Sequence, residues 1–283
     1  MTDAPANPTT ADDHAPPSPP PIANEISVDD VRAAIREGWA DFKRAPAFGL
    51  VFSFFYVLGG ALILMQAAIL DLGWMPIILA CGFPLLGPFV AVGLYEVSRR
   101  MEAGEPLDWG PILTVAFRHK DGGIPAYAVL AILLFLFWVY LAHLVFALFF
   151  GLSAMTNIST GFDIFISFRG FLMLAIGTAV GAAVALFLFA TSVLGLPLLL
   201  EREIDIVTAS FFSAKTVATQ PRPMLTFGVI VAVATFAAMI PFFLGLFIVM
   251  PVLGHATWRL YRKAVRFESG SAPTAPADQV LTV

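Results

Sequence analysis

Long apolar runs separated by short charged segments dominate the chain. A helix needs roughly 20 apolar residues to cross a bilayer. Five runs reach that length: Ala47–Leu70, Trp74–Val97, Ile124–Gly151, Gly170–Leu200 and Met224–Gly254. The last run fits either one long tilted helix or two short helices broken near Pro241. The pattern predicts a helical integral membrane protein.

The distribution of Lys and Arg decides between five and six spans. Six spans place fifteen of the sixteen cationic residues on one side and leave only Arg169 on the other, whereas five spans give a ratio of 11 to 5. Because cytoplasmic loops carry an excess of Lys and Arg, we expect six spans with both termini in the cytoplasm of a bacterial inner membrane. Met224–Ile240 and Phe242–Trp258 are then the last two spans, each close to the lower limit of about 17 residues.

A charged segment with an apolar stripe precedes each pair of spans. In the first segment, Ser27 and Asp30 resemble a capping box, and apolar residues follow at helical spacing from Val31 to Phe42. Similar segments open near Asp108 and Asp205. The predicted fold is all-α: a polytopic membrane helix bundle of six transmembrane helices in three hairpins, each preceded by an amphipathic interfacial helix.

This pattern divides the chain into parts. One membrane domain covers 25–266, with repeat units at about 27–100, 104–202 and 203–266. The alternative to three repeat units is that any short cytoplasmic loop between spans has the pattern of these segments. Residues 1–24 and 267–283 are rich in Pro, Ser and Ala and are predicted to be disordered tails.

Composition narrows the class of protein further. Hydrophobic residues make up 59% of the chain and charged residues 13%, with a net charge of −4, and soluble domains have about 25% charged residues. Soluble, fibrous and nucleic-acid-binding proteins are therefore excluded. The cations face anionic lipid headgroups in this interpretation, and we expect no nucleic-acid partner.

Three stretches carry a family resemblance. They are Gly38-Trp39-x-Asp41-Phe42, Gly87-Pro88-Phe89-x-Ala91-Val92-Gly93-Leu94-Tyr95-Glu96-x-Ser98-Arg99-Arg100, and Pro251-x-Leu253-Gly254-His255-Ala256-Thr257-Trp258. Together they resemble Domain of Unknown Function 2189, a bacterial family of predicted integral membrane proteins, over roughly residues 25–266. Some members are labelled as cytochrome c oxidase subunits, so the resemblance implies respiratory membranes. It implies no activity and no catalytic residue.

Two histidines are candidates for chemistry inside the membrane. His143 lies in the middle of the third span, and His255 lies near the inner end of the sixth. Each is either a proton relay or haem ligand or a neutral side chain bonded to its surroundings. We expect the two at different depths, which argues against one shared haem. With a single Cys81 and no metal-ligand spacing, we expect no cofactor, no metal, no catalytic residue and no enzymatic activity.

Charges and glycines at the even-numbered spans suggest two further roles. Five charged residues near the inner ends of these spans form either a ring of gate charges or ordinary interfacial anchors: Glu96, Arg99, Arg100, Glu201 and Arg202. Glu96 and Arg100 have the i, i+4 spacing of an ion pair. Gly177 and Gly181 have the spacing that permits close helix packing.

The function predicted first is a non-enzymatic accessory, assembly or scaffold component of a membrane complex. The resemblance implies that this complex is a respiratory one. The alternative is a small-solute transporter or channel. Pro and Gly concentrate in the even-numbered spans, and the backbone groups they free must be buried in protein or line a wet cavity. We therefore expect the even spans at the centre, and the alternative requires a polar cavity between them.

Overall fold

A computed structural model describes residues 21–70, 75–118, 123–151 and 166–267. Most of both predicted tails lies outside these residues. So do Asp71, His119 and the segment between the third and fourth predicted spans. The described chain is helical apart from one pair of two-residue strands.

The helices follow the predicted order. They are α1 (Val28–Arg44), α2 (Pro46–Leu70), α3 (Met75–Gly82), α4 (Gly87–Ala103), α5 (Trp109–Arg118), α6 (Gly123–Phe150), α7 (Phe168–Ser192), α8 (Gly195–Glu201), α9 (Ile206–Thr219), α10 (Pro221–Met239) and α11 (Leu246–Ala264). A short 3₁₀ helix, Phe83–Leu86, joins α3 to α4.

Five helical segments of the described chain are long and apolar enough to cross a membrane: Pro46–Gln66, Ile78–Ala103, Gly123–Phe150, Phe168–Glu201 and Pro221–Met239. The chain after α10 turns at Pro241, as one reading of the sequence predicts, with Phe242 and Phe243 at positive φ. α11 therefore begins at Leu246, later than the predicted Phe242. It is not among the five segments.

The predicted capping chemistry is present at the short polar helices. Ser27 caps α1: its side chain accepts a hydrogen bond from the Asp30 amide at 3.2 Å, and the Asp30 carboxylate accepts one from the Ser27 amide at 2.8 Å. The Ser27 hydroxyl also donates to the Asp30 carboxylate at 2.7 Å, and this bond, followed by the one from the Ser27 amide, lowers the pKa of Asp30. The Asp205 side chain caps α9 and accepts hydrogen bonds from two backbone amides. A hydrogen bond from the Thr208 side chain, followed by those from the amides, lowers the pKa of Asp205.

Each short helix packs on the end of an even-numbered span: α5 and α9 on the span that precedes them in the chain, and α1 on the last span, which completes a ring of contacts. α5 packs on α4, α9 packs on α7 and α8, and α1 packs on α11 at the other end of the chain. The α1–α11 pair is the most extensive helix contact among the described residues. The C-terminal ends of α4, α8 and α11 meet at one end of the bundle, which we call the charged end.

The even-numbered spans form only part of the centre. α4, α8 and α11 contact one another, and the largest buried cluster includes residues of all three. α7, the longer part of the fourth predicted span, instead has mostly exposed side chains. The expectation that all of the fourth span is central is therefore wrong, because only its last part, from Ser192 to Leu200, is continuously buried.

The segment before α1 is held against the end of α11. Ile22–Ala23 pairs antiparallel with Val265–Arg266, and the Asn24 side chain donates to the Lys263 carbonyl at 3.1 Å. The last residues of the predicted N-terminal tail are thus ordered, because the end of α11 offers free backbone groups with which they pair.

Candidate functional site

Four polar residues form a buried cluster where α1, α4 and α11 meet. Asp41 accepts hydrogen bonds from Arg259 Nε at 2.7 Å and from Arg259 Nη2 at 2.9 Å. Ser98 Oγ lies 3.3 Å from Asp41 Oδ2 and 2.7 Å from His255 Nδ1. Asp41, Ser98 and His255 are at most 1% exposed. We call Asp41, Ser98, His255 and Arg259 the buried polar cluster.

Close helix packing brings this cluster together. The buried positions of α1 are Val31, Ala34, Gly38 and Asp41, one helical face. A Cβ at Gly38 would lie 2.6 Å from the Ala256 backbone nitrogen. Only glycine lets the two backbones approach this closely, and that approach places Asp41, one turn further along α1, beside Arg259.

The order of hydrogen bonds limits what the buried polar cluster can do. In a hydrolytic triad the histidine lies between the serine and the acid, so that it can take the serine proton. Here Ser98 lies between His255 and Asp41: with Ser98 donating to Asp41, the His255 Nδ1–H donates to Ser98. The bonds pair the charges of Asp41 and Arg259 and link three helices.

A second cluster, the bridging cluster, joins the same helices nearer the surface. Arg262 donates to Glu102 at 3.0 Å and to Glu201 at 2.8 Å, which links α11 to both α4 and α8. The Tyr261 hydroxyl donates to Glu201, and Trp258 Nε1 donates to Glu102 at 3.0 Å. Charge-assisted hydrogen bonds therefore link the C-terminal ends of α4, α8 and α11.

Three of the remaining predicted gate charges, Glu96, Arg99 and Arg100, form a local cluster at the end of α4. Glu96 accepts from Arg100 Nε at 2.6 Å, the i, i+4 pair expected from the spacing, and from Arg99 Nε at 2.7 Å. Arg99 also donates to Glu105 at 2.9 and 2.8 Å, and these bonds lower the pKa of Glu105. The Arg202 guanidinium lies 4.1 Å from the centre of the Phe267 ring. Of the five predicted residues, Glu201 alone is part of the bridging cluster.

Several important residues carried no predicted role. Asp41 and Ser98 occur in the resemblance stretches without one, and Glu102 and Arg259 are not singled out. One signal was available for Asp41: an acidic residue on the apolar face of α1 must find a partner when that face is buried.

The two candidate histidines lie in different surroundings. His143, on α6, is half-buried, and its Nδ1 lies 2.6 Å from the Val139 carbonyl of its own helix. His255 is enclosed by protein, and its Nδ1 is engaged by Ser98. Among the described residues, no group of three His, Cys, Asp or Glu side chains has metal-binding geometry.

A cavity of about 650 Å³ lies between α3–α4, α6, α7, α10 and α11. This volume is typical of small-molecule sites, roughly 300–1,000 Å³. Its walls are mainly aliphatic and aromatic. No charged side chain of the described residues lines it, and the hydroxyl groups come from Tyr95, Thr178, Ser192, Thr235 and Thr257. Ser192 and Thr257 donate to carbonyls of their own helices at 2.6 and 2.8 Å.

The cavity opens sideways between α7 and α10. Residues of both helices line it and are also 42–60% exposed at the surface: Leu174 and Leu186 of α7, and Leu225, Val229 and Phe236 of α10. Phe189 of α7 reaches Phe227 of α10, with ring centres 6.5 Å apart. The opening therefore faces the surroundings of the bundle and not its charged end.

The predicted packing glycines line this cavity in different ways. A Cβ at Gly181 would lie 2.7 Å from the Trp138 ring, so Gly181 does make a close contact with α6. A Cβ at Gly177 would meet nothing within 4 Å among the described residues. Gly177 therefore borders open space.

The fold defines a class: a multi-pass, helical integral membrane protein. Residues 75–201 match the model of Domain of Unknown Function 2189, which is described as a predicted integral membrane protein. This match confirms the resemblance found in the sequence. Comparison with curated proteins and with solved structures gives no match.

The matched residues contain one of the three resemblance stretches, Gly87–Arg100, and the other two lie outside them. The fold nevertheless brings the three stretches together. Asp41, Ser98 and His255 come from one stretch each and are in hydrogen-bonding contact. The resemblance therefore coincides with the contact between α1, α4 and α11.

Proposed function

We propose that this protein is a non-enzymatic membrane protein that holds a lipophilic molecule in the cavity between α7 and α10. The cavity itself supports this role. It is lined by apolar side chains, has hydroxyl groups as its polar components, and opens where a membrane-embedded bundle meets lipid. An apolar ligand loses no hydration on moving into such a site from the bilayer.

The proposal includes a topology of six spans, with α11 as the sixth. Both termini would lie in the cytoplasm of a bacterial inner membrane, and the three units would each consist of a short helix and a hairpin. The circular packing of α1, α5 and α9 supports three equivalent units. A reporter fused after Val283 should be active only on the cytoplasmic side; activity only in the periplasm would refute six spans.

A path for polar solutes has less support. Ion and polar-solute paths are lined by rings of carbonyls or charged side chains, and the described lining of the cavity has no charged group. At the charged end, Arg262 joins α11 to α4 and α8, so a solute would have to break this bridge to leave there.

The accessory role predicted from the sequence stays a prediction. It is compatible with ligand binding, since a subunit of a membrane complex can also hold a lipid. Purification in mild detergent followed by mass spectrometry would identify a stoichiometric partner. Recovery of the chain without one would count against the accessory role and leave ligand binding untouched.

Filling the cavity tests the ligand-binding proposal directly. Ala182 of α7 and Ala232 of α10 line the cavity, whereas their neighbours Ala183 and Val233 do not; all four are exposed. The variant Ala182→Phe/Ala232→Phe should occupy the cavity, and Ala183→Phe/Val233→Phe adds the same side chains outside it. Lipids extracted from extensively washed protein are counted per chain by liquid chromatography and mass spectrometry.

We expect wild type and the outward-facing control to retain about one lipophilic molecule per chain, and the filled variant to lose it. Retention by both variants, or an empty wild type, would refute the proposal. Should the filled variant not fold, Gly177→Leu provides the same test, because its side chain enters space that no described residue occupies.

A further inference from the structure

We propose that the lipophilic molecule is an anionic phospholipid whose headgroup binds Arg222 and whose acyl chain follows α10 into the cavity. This inference rests on the proposed function and adds the chemical class of the ligand. It depends on the position of Arg222, on its lack of a carboxylate partner, and on a continuous apolar surface that leads from it to the cavity.

Arg222 lies at the end of the helical stripe that lines the cavity. Leu225, Val229, Ala232 and Phe236 follow it at intervals of three or four residues, so the five side chains share one face of α10. At 1.5 Å per residue, Arg222 to Ala232 covers about 15 Å. This is half of the roughly 30 Å hydrocarbon thickness of a bilayer, the depth that an acyl chain of one leaflet reaches.

A shallow, open groove on the surface of α10 alone runs from Arg222 toward the cavity. Pro221, Arg222, Leu225, Thr226, Val229 and Ile230 line the groove, and two of these, Leu225 and Val229, also line the cavity. A chain held along this groove would therefore pass into the cavity without leaving apolar surface. Arg222 provides the cationic group among the residues that line this groove.

The side chain of Arg222 has no counter-charge within the described part of the protein. It is exposed, and no described carboxylate forms an ion pair with it. The arginines of α4 and α11 differ, because each has a carboxylate oxygen within 3.0 Å: Arg99, Arg100, Arg259 and Arg262. An unpaired guanidinium beside an apolar groove is suited to a phosphate, with which it forms paired, charge-assisted hydrogen bonds.

Net charge decides between lipid classes. A zwitterionic lipid carries its own ammonium group, which compensates the phosphate, whereas the phosphate of phosphatidylglycerol is uncompensated. The groove supplies one positive charge and no described negative one. Charge complementarity therefore favours an anionic lipid.

A lipid competition experiment tests this inference. The full chain is reconstituted in vesicles of equimolar phosphatidylglycerol and phosphatidylethanolamine, extracted in mild detergent and analysed by native mass spectrometry, which reports both bound lipids and oligomeric state. Wild type should retain phosphatidylglycerol over phosphatidylethanolamine by about fivefold, the size expected of a partly exposed charge pair. Arg222→Gln should keep one lipid per chain but with a ratio near one.

Two variants make the result specific. Arg36→Gln removes another exposed arginine, in α1, that has no ion pair to a described residue, and it should behave as wild type. Arg222→Lys keeps the charge and should retain the preference in part. An unchanged preference in Arg222→Gln, or an equal loss in Arg36→Gln, would overturn the inference.

The same spectra separate failure of this inference from failure of the proposed function. One bound lipid without headgroup preference refutes the anionic headgroup and leaves the cavity as a lipophilic site. Wild type without any bound lipid refutes both. A lipid-free dimer would identify a second copy of the chain as the occupant of the α7–α10 opening, which also refutes both.

Discussion

The Gly38→Ala variant tests the contact between α1 and α11 that shapes the charged end. The new methyl group would lie 2.6 Å from the Ala256 nitrogen and 2.7 Å from the Val252 carbonyl oxygen. Because non-bonded heavy atoms settle near 3.5–4.0 Å, the two helices must separate by about 1 Å. Both obstacles are backbone atoms, so no rotamer change can relieve the contact.

The expected loss of unfolding free energy in Gly38→Ala follows from three effects. Overpacking of this kind costs about 1–3 kcal/mol. The separation also stretches the Asp41–Arg259 bonds one turn away, and hydrogen bonds to charged groups contribute about 1.5–3 kcal/mol. Alanine gains about 1 kcal/mol over glycine in a helix. We expect a net loss of about 2–4 kcal/mol of unfolding free energy.

Thermal unfolding in mild detergent, followed by tryptophan fluorescence, measures this loss. For a chain of this size, 1 kcal/mol corresponds to about 2–4 °C in Tm, so Gly38→Ala should melt about 5–15 °C below wild type. Gly110→Ala is the matched control. Gly110 lies in α5, and a Cβ there would meet nothing within 4 Å among the described residues. Its Tm should stay or rise slightly. If Gly38→Ala melts like Gly110→Ala, the close α1–α11 contact is refuted.

Two further predictions concern the polar contacts at the charged end. Asp41→Ala and Arg259→Ala should each lower the unfolding free energy by about 3–5 kcal/mol, because each leaves a largely buried charge unpaired. The double variant should lose less than the sum of the two single losses, by about 0.5–3 kcal/mol. Additive losses in this double-mutant cycle would show that the ion pair does not act as a unit. Ser27→Ala should cost about 1 kcal/mol at pH 7. The pKa of Asp30 is lowered in the folded protein, so the part of this loss due to its carboxylate should disappear as the pH falls below about 4; a pH-independent loss, measured by unfolding at several pH values, would exclude that contribution.

The sequence predicts the helices because their chemistry is local. Apolar runs, the Ser27–Asp30 capping box and the turn at Pro241 each depend on residues close together in the chain, and the structure contains all three. Even the Glu96–Arg100 pair is a contact within one helix.

Contacts between helices were harder to predict. Arg262 reaches Glu102 and Glu201 from positions 160 and 61 residues away, and no spacing rule along one helix identifies such partners. The peripheral position of α7 is another case. Its apolar sequence fits a lipid-facing helix and a central helix equally well, because lipid and protein interior are both apolar. The transporter alternative requires a polar cavity between the even-numbered spans, whereas the cavity beside α7 has mainly aliphatic and aromatic walls.

Aromatic rings fill two helix junctions, whereas the junction between α7 and α10 is filled along only part of its length. Gly60 of α2 faces the ring of Phe243 in the turn before α11, and Gly82 of α3 faces the ring of Trp138 of α6; a Cβ at either glycine would lie 2.2 Å from the aromatic ring. At the corresponding junction between the fourth and fifth spans, Gly177 faces no described side chain within 4 Å. Further along α7, the Phe189 ring lies 3.2 Å from the position of a Cβ at Gly228 of α10, so this junction is closed there and open beside Gly177. A larger side chain at Gly177 should therefore fill the open part.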